Sequence, residues 1–217
     1  MKITFESFVK YNTYPIKKVI LCEDSGNKGI VDFIKNLSPY PIEIFYNKER
    51  IGQMKTIEKY IKYVDTPFVF HLEDDYEFFD YGFIELSFKI LDSDPNISQI
   101  LLQDEQHLSN WGYKEDISNS LCYKLLTNNP YNPGLSDGQN TCNNGDGALN
   151  VFSWRPFLKR IEIALLRVPY ELWDDEYTIQ LEINKRGYYA VVSKYGCEKT
   201  QKVFVNILVK HLMFLNL

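Results

Sequence analysis

The sequence lacks closely spaced cysteines, and this absence excludes the commonest metal and disulfide frameworks. Its four cysteines are Cys22, Cys122, Cys142 and Cys197, and none lies at CxxC spacing from another. Structural zinc sites and small disulfide-bonded domains depend on such spacing, so neither is indicated. We expect buried, reduced thiols in a cytoplasmic protein.

Basic clusters and long apolar runs are also missing. Asp and Glu outnumber Lys and Arg, 29 to 24, and no basic cluster is broad enough to follow a phosphate backbone, so nucleic acid is not an expected partner. No apolar run could span a bilayer, and the first residues lack the charged-then-apolar layout of a signal peptide. The most apolar stretch, residues 203–217, is predicted to form a helix packed on the domain, or alternatively a helix at a membrane surface.

The first half of the chain contains an alternation of helical and strand patterns. Apolar residues recur at helical spacing in residues 3–12, 30–37, 51–64 and 81–94. Short apolar or alternating runs typical of strands occur at residues 17–26, 42–47, 67–75 and 98–104. This order predicts a single α/β domain with a mostly parallel sheet flanked by helices.

The second half is less regular. Residues 107–150 are rich in Asn, Gly, Asp, Tyr and Ser, and such a stretch in a compact domain predicts a binding loop or a lid. Residues 153–166 and 174–187 have helical spacing, with Gly187 as the predicted end of the second helix. Residues 188–193 are predicted to return as a strand.

Acidic clusters follow two of the predicted strands. Glu23 and Asp24 follow one strand, and Glu73, Asp74 and Asp75 end another. In a parallel sheet, ligands bind beyond the carboxyl ends of the strands. Two like charges about 4 Å apart repel by ~1 kcal/mol in water and ~4 kcal/mol at an effective dielectric near 20, so the trio is either a solvated turn or a cation site. Alternation along a strand would place Glu73 and Asp75 on one side, which suits one Mg²⁺ or Mn²⁺ ion.

Three segments together resemble a known family. They are "VILCEDSG" (residues 19–26), "YNKERIGQMKTIEKYIKYVDTPFVFHLEDD" (46–75) and "DEYTIQLEINKRGY" (175–188). In order and relative spacing they are similar to the motifs of family 2 glycosyltransferases with the GT-A fold. The resemblance implies a metal-dependent, inverting transfer of a sugar from a nucleotide-diphosphate donor to a glycan or other hydroxyl acceptor. It begins at the helix that follows the family's first strand, so that strand is expected to be absent.

The first two segments imply the donor site. Asp75 matches the ligand of the family's Mn²⁺ or Mg²⁺ cofactor, Asp74 lies beside it in the motif, and Glu73 takes the position nearer the ribose. The resemblance also implies that Asp24 contacts the nucleobase. Glu23 lies beside Asp24, and Arg50 is expected near the nucleotide.

The third segment implies the catalytic base. In inverting members one carboxylate of an acidic pair deprotonates the acceptor hydroxyl, and Glu176 and Asp175 match that pair. Glu176 replaces the Asp that the family usually has in second place, and Asp174 is a third candidate. Acids in the first turn of a predicted helix interact favourably with its dipole, so a purely stabilising role is the alternative. The preceding Trp173 could stack on a sugar ring or fill the core.

These assignments divide the single domain, residues 1–217, by expected role. Residues 1–105 are the expected nucleotide-sugar half, 106–200 the acceptor half and 201–217 a carboxyl-terminal tail. Two other functions stay open. One is an inactive or truncated GT-A module that binds a glycan or a partner protein. The other is a nucleotidyltransferase, which would need a Gly-rich phosphate loop that the sequence does not show.

Overall fold

The computed structural model describes residues 1–102, 113–117, 122–126, 156–166, 183, 185–193, 197–199 and 211–216. The helices within these ranges are α1 (Lys2–Tyr11), α2 (Lys28–Leu37), α3 (Gln53–Ile61), α4 (Phe83–Ser93) and α5 (Ile161–Leu165). The strands are β1 (Lys18–Glu23), β2 (Ile42–Tyr46), β3 (Phe68–Leu72), β4 (Tyr76–Phe78), β5 (Ile97–Leu102), β6 (Tyr113–Ile117), β7 (Cys122–Leu126), β8 (Phe157–Arg160), β9 (Tyr189–Ser193), β10 (Cys197–Lys199) and β11 (His211–Asn216). The predicted alternation of strands and helices in the first half is therefore confirmed.

The strands form one large sheet and one small one. The large sheet has the order β2-β1-β11-β3-β8-β5-β9-β7-β6, and β4 pairs with β10 in a separate two-stranded sheet. The predicted strands of the first half, β1, β2, β3 and β5, all run in the same direction. Their carboxyl ends consequently meet at one edge of the sheet.

The expectation of a mostly parallel sheet needs one correction, although the α/β architecture is confirmed. β11 and β8 lie antiparallel between the predicted strands, so only the β1–β2 and β5–β9 pairs are parallel within the described sheet. The sheet is therefore mixed. An alternating order of strands and helices fixes the direction of the strands that it connects, but it does not prevent later segments from inserting between them.

Three predictions for the second half were wrong over the described residues. Residues 157–160 form β8 rather than a helix, and residues 211–216 form β11 rather than a packed or membrane-surface helix. β8 runs directly into helix α5, and the apolar residues 212–215 of β11 form a run too short for periodicity to distinguish a strand from a helix. Residues 113–117 and 122–126, within the predicted loop, form a β6–β7 hairpin at the sheet edge. The charged sequence of β6 hides this strand from a search for apolar runs.

Two buried clusters cover the two faces of the large sheet. Val19 and Leu21 of β1 belong to the cluster that contains Phe5 and Phe8 of α1. The alternate β1 residues pack with α3 in the second cluster. Phe8 is fully buried, and its ring lies 5.5 Å from that of Phe78, so α1 holds the strand β4 that follows the acidic trio.

The described cysteine thiols match the expectation from the sequence. Cys22 and Cys122 are reduced, fully buried thiols. Burial raises the pKa of the Cys22 thiol well above its ordinary value, because the thiolate would lose its hydration. The side chains of Cys142 and Cys197 lie outside the described residues.

No helix in the described ranges is long and apolar enough to cross a membrane.

Candidate functional site

The two acidic clusters lie at the same edge of the large sheet. β1 ends at Glu23 and β3 ends at Leu72, and both strands run in the same direction on either side of β11. The side chains are not spread into bulk solvent, since Glu23 is 0% exposed, Asp24 6% and Glu73 8%. Both clusters therefore lie at carboxyl ends of strands, as the sequence predicts.

The acidic trio occupies a turn, so its expected geometry needs correction. β3 stops at Leu72, and Glu73 to Asp75 connect it to β4 of the small sheet. Strand alternation therefore does not decide which way these side chains point. The strand β4, which follows the turn, is anchored to α1: the backbone N–H of Phe78 donates to the hydroxyl of Ser7 at 3.0 Å. Asp74 and Asp75 are partly exposed at the turn.

The amino group of Met1 lies against this turn. It donates a hydrogen bond to the backbone oxygen of Asp74. Burial lowers the pKa of the amino group, and the nearby charges of Asp74 and Asp75 oppose that shift.

Asp24 is held in front of the amino-terminal end of α3. Its Oδ1 accepts hydrogen bonds from the backbone N–H of Ile51 at 3.0 Å and from Nδ2 of Asn47 at 2.8 Å, and its Oδ2 accepts from the N–H of Gly52 at 2.9 Å. Gly52 has φ +85°, a left-handed conformation that favours glycine. The negative carboxylate also faces the positive end of the helix dipole. Asp24 therefore fixes the loop that leads into α3.

The first residue of α3 reaches the second acidic cluster. Nε2 of Gln53 donates to Oε1 of Glu73 at 2.9 Å. Three consecutive residues, Ile51 to Gln53, consequently contact Asp24 on one side and Glu73 on the other. The two predicted clusters thus belong to one connected site, and the start of α3 is its link.

Asn47 is a central residue of the site that the sequence prediction missed. Its Nδ2 donates to Asp24 and to Oγ1 of Thr56, and its Oδ1 accepts from Nζ of Lys59 at 2.8 Å and from the hydroxyl of Tyr60 at 2.7 Å. Asn47 directly follows β2, whose carboxyl end lies at the same edge as the acids. That position is the signal that could have identified it.

Glu23 and Arg50 occupy different surroundings. The Oε1 atom of the fully buried Glu23 accepts from the backbone N–H groups of Ser25 and of Asn27, the latter at 3.4 Å. Glu23 therefore shapes the turn into α2 from beneath the site. Arg50 is exposed in the loop between β2 and α3, next to Ile51.

The predicted catalytic base lies outside the described residues. This applies to Asp175 and Glu176, and to Asp174 and Trp173. The end of the predicted helix is described: the N–H of Tyr188 donates to the carbonyl of Ile183 at 3.1 Å across Gly187. Gly187 has φ +83°, as expected for a glycine that ends a helix.

The acidic turn fits a metal ion that a substrate helps to hold. No group of three or more His, Cys, Asp or Glu side chains in the described residues could enclose a metal ion by itself. Mg²⁺ in phosphate-transfer sites is bound instead by one or two carboxylates, with substrate phosphates and water completing the shell. The partly exposed Asp75, beside the buried Glu73, supplies oxygen ligands of that kind.

Comparison with known proteins identifies the domain type. The family model described as glycosyl transferase family 2 matches residues 1–145, which include both acidic clusters, Asn47 and the start of α3. No curated protein matches the chain.

Proposed function

The chain belongs to glycosyl transferase family 2 and has its GT-A type of α/β fold; from this membership and from the connected acidic site we propose the reaction. The protein transfers a sugar from a nucleotide-diphosphate donor to a glycan or other hydroxyl acceptor. The transfer depends on Mn²⁺ or Mg²⁺ and inverts the anomeric carbon. The observation that carries the proposal is the link through Ile51 to Gln53, which joins Asp24 and Glu73 in one site.

Each acid of the described site has a separate role in binding the donor and its metal ion. Asp75 holds the metal ion, with Asp74 beside it in the turn. Glu73, oriented by Gln53, lies nearer the ribose. Asp24 contacts the nucleobase. When bound, the divalent ion would neutralise the negative charge that develops on the departing diphosphate.

Two further residues support these contacts at the nucleotide. Glu23 fixes the turn beneath Asp24 through the backbone N–H groups of Ser25 and Asn27. Arg50, exposed beside Ile51, offers a positive charge to the donor phosphates.

The proton transfer falls to the acceptor half. Glu176, with Asp175 as the next candidate, removes the proton from the acceptor hydroxyl as that oxygen attacks the anomeric carbon. Attack on the face opposite the departing diphosphate inverts the configuration.

Calorimetric titration with UDP and GDP, with and without Mn²⁺, tests the donor site. We expect Mn²⁺ to strengthen the binding of one of these nucleotides to the unmodified protein. Asp75→Asn should remove this metal dependence. Asp80→Asn is the matched control, because Asp80 is an exposed acid shortly after the trio whose Oδ1 accepts from the N–H of Tyr81.

Each outcome of the titration decides between hypotheses. If Asp75→Asn keeps the full effect of Mn²⁺, the assignment of Asp75 is wrong. If metal and nucleotide do not strengthen each other's binding to the unmodified protein, the donor assignment fails. The non-catalytic module that binds a glycan or a partner protein then becomes the better hypothesis.

A further inference from the structure

The contacts of Asn47 determine the orientation of its side chain. The ammonium of Lys59 can only donate hydrogen bonds, and an ionised Asp24 carboxylate can only accept them. Oδ1 must therefore face Lys59 and Tyr60, and Nδ2 must face Asp24 and Thr56, as the structure has them. Both N–H groups and both oxygen lone pairs of the amide are used.

Asn47 also connects three elements that are distant in sequence. Its backbone N–H donates to the carbonyl of Glu23 at 3.0 Å, which ties the end of β2 to the end of β1. Its side chain reaches the first and second turns of α3, where Thr56 is 1% and Tyr60 3% exposed. Through Asn47, Asp24 is therefore connected to buried side chains of α3, in addition to its own hydrogen bonds from the N–H groups of Ile51 and Gly52.

We propose that Asn47 is a positioning residue of the donor site, which orients the Asp24 carboxylate and holds the loop of residues 48–52 against it. The part of this inference that concerns nucleotide binding rests on the proposed function. The part that concerns the loop stands on the contacts alone. Asn47 acts through Asp24 and need not touch the donor.

The substitution Asn47→Asp keeps the shape of the side chain and removes its ability to donate a hydrogen bond to Asp24. It keeps the size of the side chain and the two acceptor bonds to Lys59 and Tyr60, but it replaces the Nδ2 donor, 2.8 Å from Asp24, with a carboxylate oxygen. Two carboxylates this close and partly shielded from water repel each other, so we expect nucleotide affinity at about pH 8 to fall at least tenfold.

Acidification should reverse this loss. A proton shared by the two carboxylates recreates a hydrogen bond between residues 47 and 24, so the affinity of Asn47→Asp should recover as the pH is lowered to about 5.5. Among the described residues, the other charged or titratable groups near this position include Lys59, which favours the ionised pair, Tyr60, Glu23 and the buried thiol of Cys22. Asn36→Asp, on the exposed side of α2, makes the same chemical change away from the site and should show neither the loss nor the recovery.

Hydrogen exchange of the peptide that spans residues 47–56 measures how well the loop is held in place, and it needs no ligand. At about pH 8, we expect this peptide to exchange at least tenfold faster in Asn47→Asp than in Asn36→Asp, since the bonds from Ile51 and Gly52 to Asp24 are weakened. If Asn47→Asp does not fold, Asn47→Ala replaces it, with a loss of affinity of about fivefold and the same faster exchange, but with no recovery in acid.

The two readouts keep the possible failures apart. Unchanged exchange in the 47–56 peptide would overturn the positioning role, whatever the nucleotide does. Faster exchange with unchanged nucleotide affinity would show that Asn47 holds the loop but not the donor site, which also overturns the proposal. Faster exchange in a protein whose unmodified form binds no nucleotide would refute the proposed function and leave the loop contact established.

Discussion

Replacing Asp24 by Asn should destabilise the protein although the two side chains have nearly the same shape. An Asn at this position can keep one oxygen, and it does best by leaving it where Oδ1 serves both Ile51 and Asn47. Its NH₂ group then faces the N–H of Gly52, which loses its acceptor. Because Gly52 is only partly buried, leaving its N–H without an acceptor costs about 1–2 kcal/mol, the lower part of the range for buried donors. Loss of the charge at the start of α3 adds roughly 0.3–2 kcal/mol.

These contributions are not additive, and we expect a decrease of about 3 kcal/mol in the free energy of unfolding. Urea denaturation followed by circular dichroism measures this change, with an unaltered dependence on urea concentration. Asp32→Asn is the matched control, because Asp32 is exposed on α2, and it should change stability by less than ~0.5 kcal/mol. If Asp24→Asn behaves like Asp32→Asn, the three hydrogen bonds of Asp24 do not hold the loop as the structure indicates.

Two further predictions concern catalysis and the buried thiol. Glu176→Gln should leave the donor affinity intact and lower turnover by about 10²–10⁴-fold, because the acceptor hydroxyl loses its base; normal turnover would direct attention to Asp175. Cys22 should resist alkylation at neutral pH in the folded protein, because burial raises the pKa of its thiol, and it should react once urea unfolds the chain. Peptide mapping after labelling distinguishes Cys22 from the other cysteines, and rapid labelling of Cys22 in the native protein would contradict its burial.

The sequence was sufficient to predict the order and direction of the strands in the first half and to place the acids near their carboxyl ends. A strand followed by a helix and another strand in the same sheet has a defined direction, so Asp24 and Glu73 could be placed at one edge before any coordinates were known. Amphipathic helices such as α3 were equally clear, because their apolar faces repeat at helical spacing.

The rest depends on contacts between distant segments. Apolar spacing could not separate the strand β8 from a helix, because both faces of that strand are buried. The end of β3 at Leu72 was also missed, and with it the turn geometry of the trio. Asn47 carries no charge and forms no motif by itself, and its role becomes visible only when β1, β2 and α3 are assembled around it.

The place of β11 in the sheet has a consequence for how the protein folds. β1 and β3 do not pair with each other, and each is instead paired with residues 211–216. During synthesis, both acidic clusters leave the ribosome long before the strand that brings their strands together. Pairings between segments so far apart in sequence form slowly, because a large loop must close first. Completion of the donor-binding edge is therefore expected to be a late event, coupled to the arrival of β11 between β1 and β3.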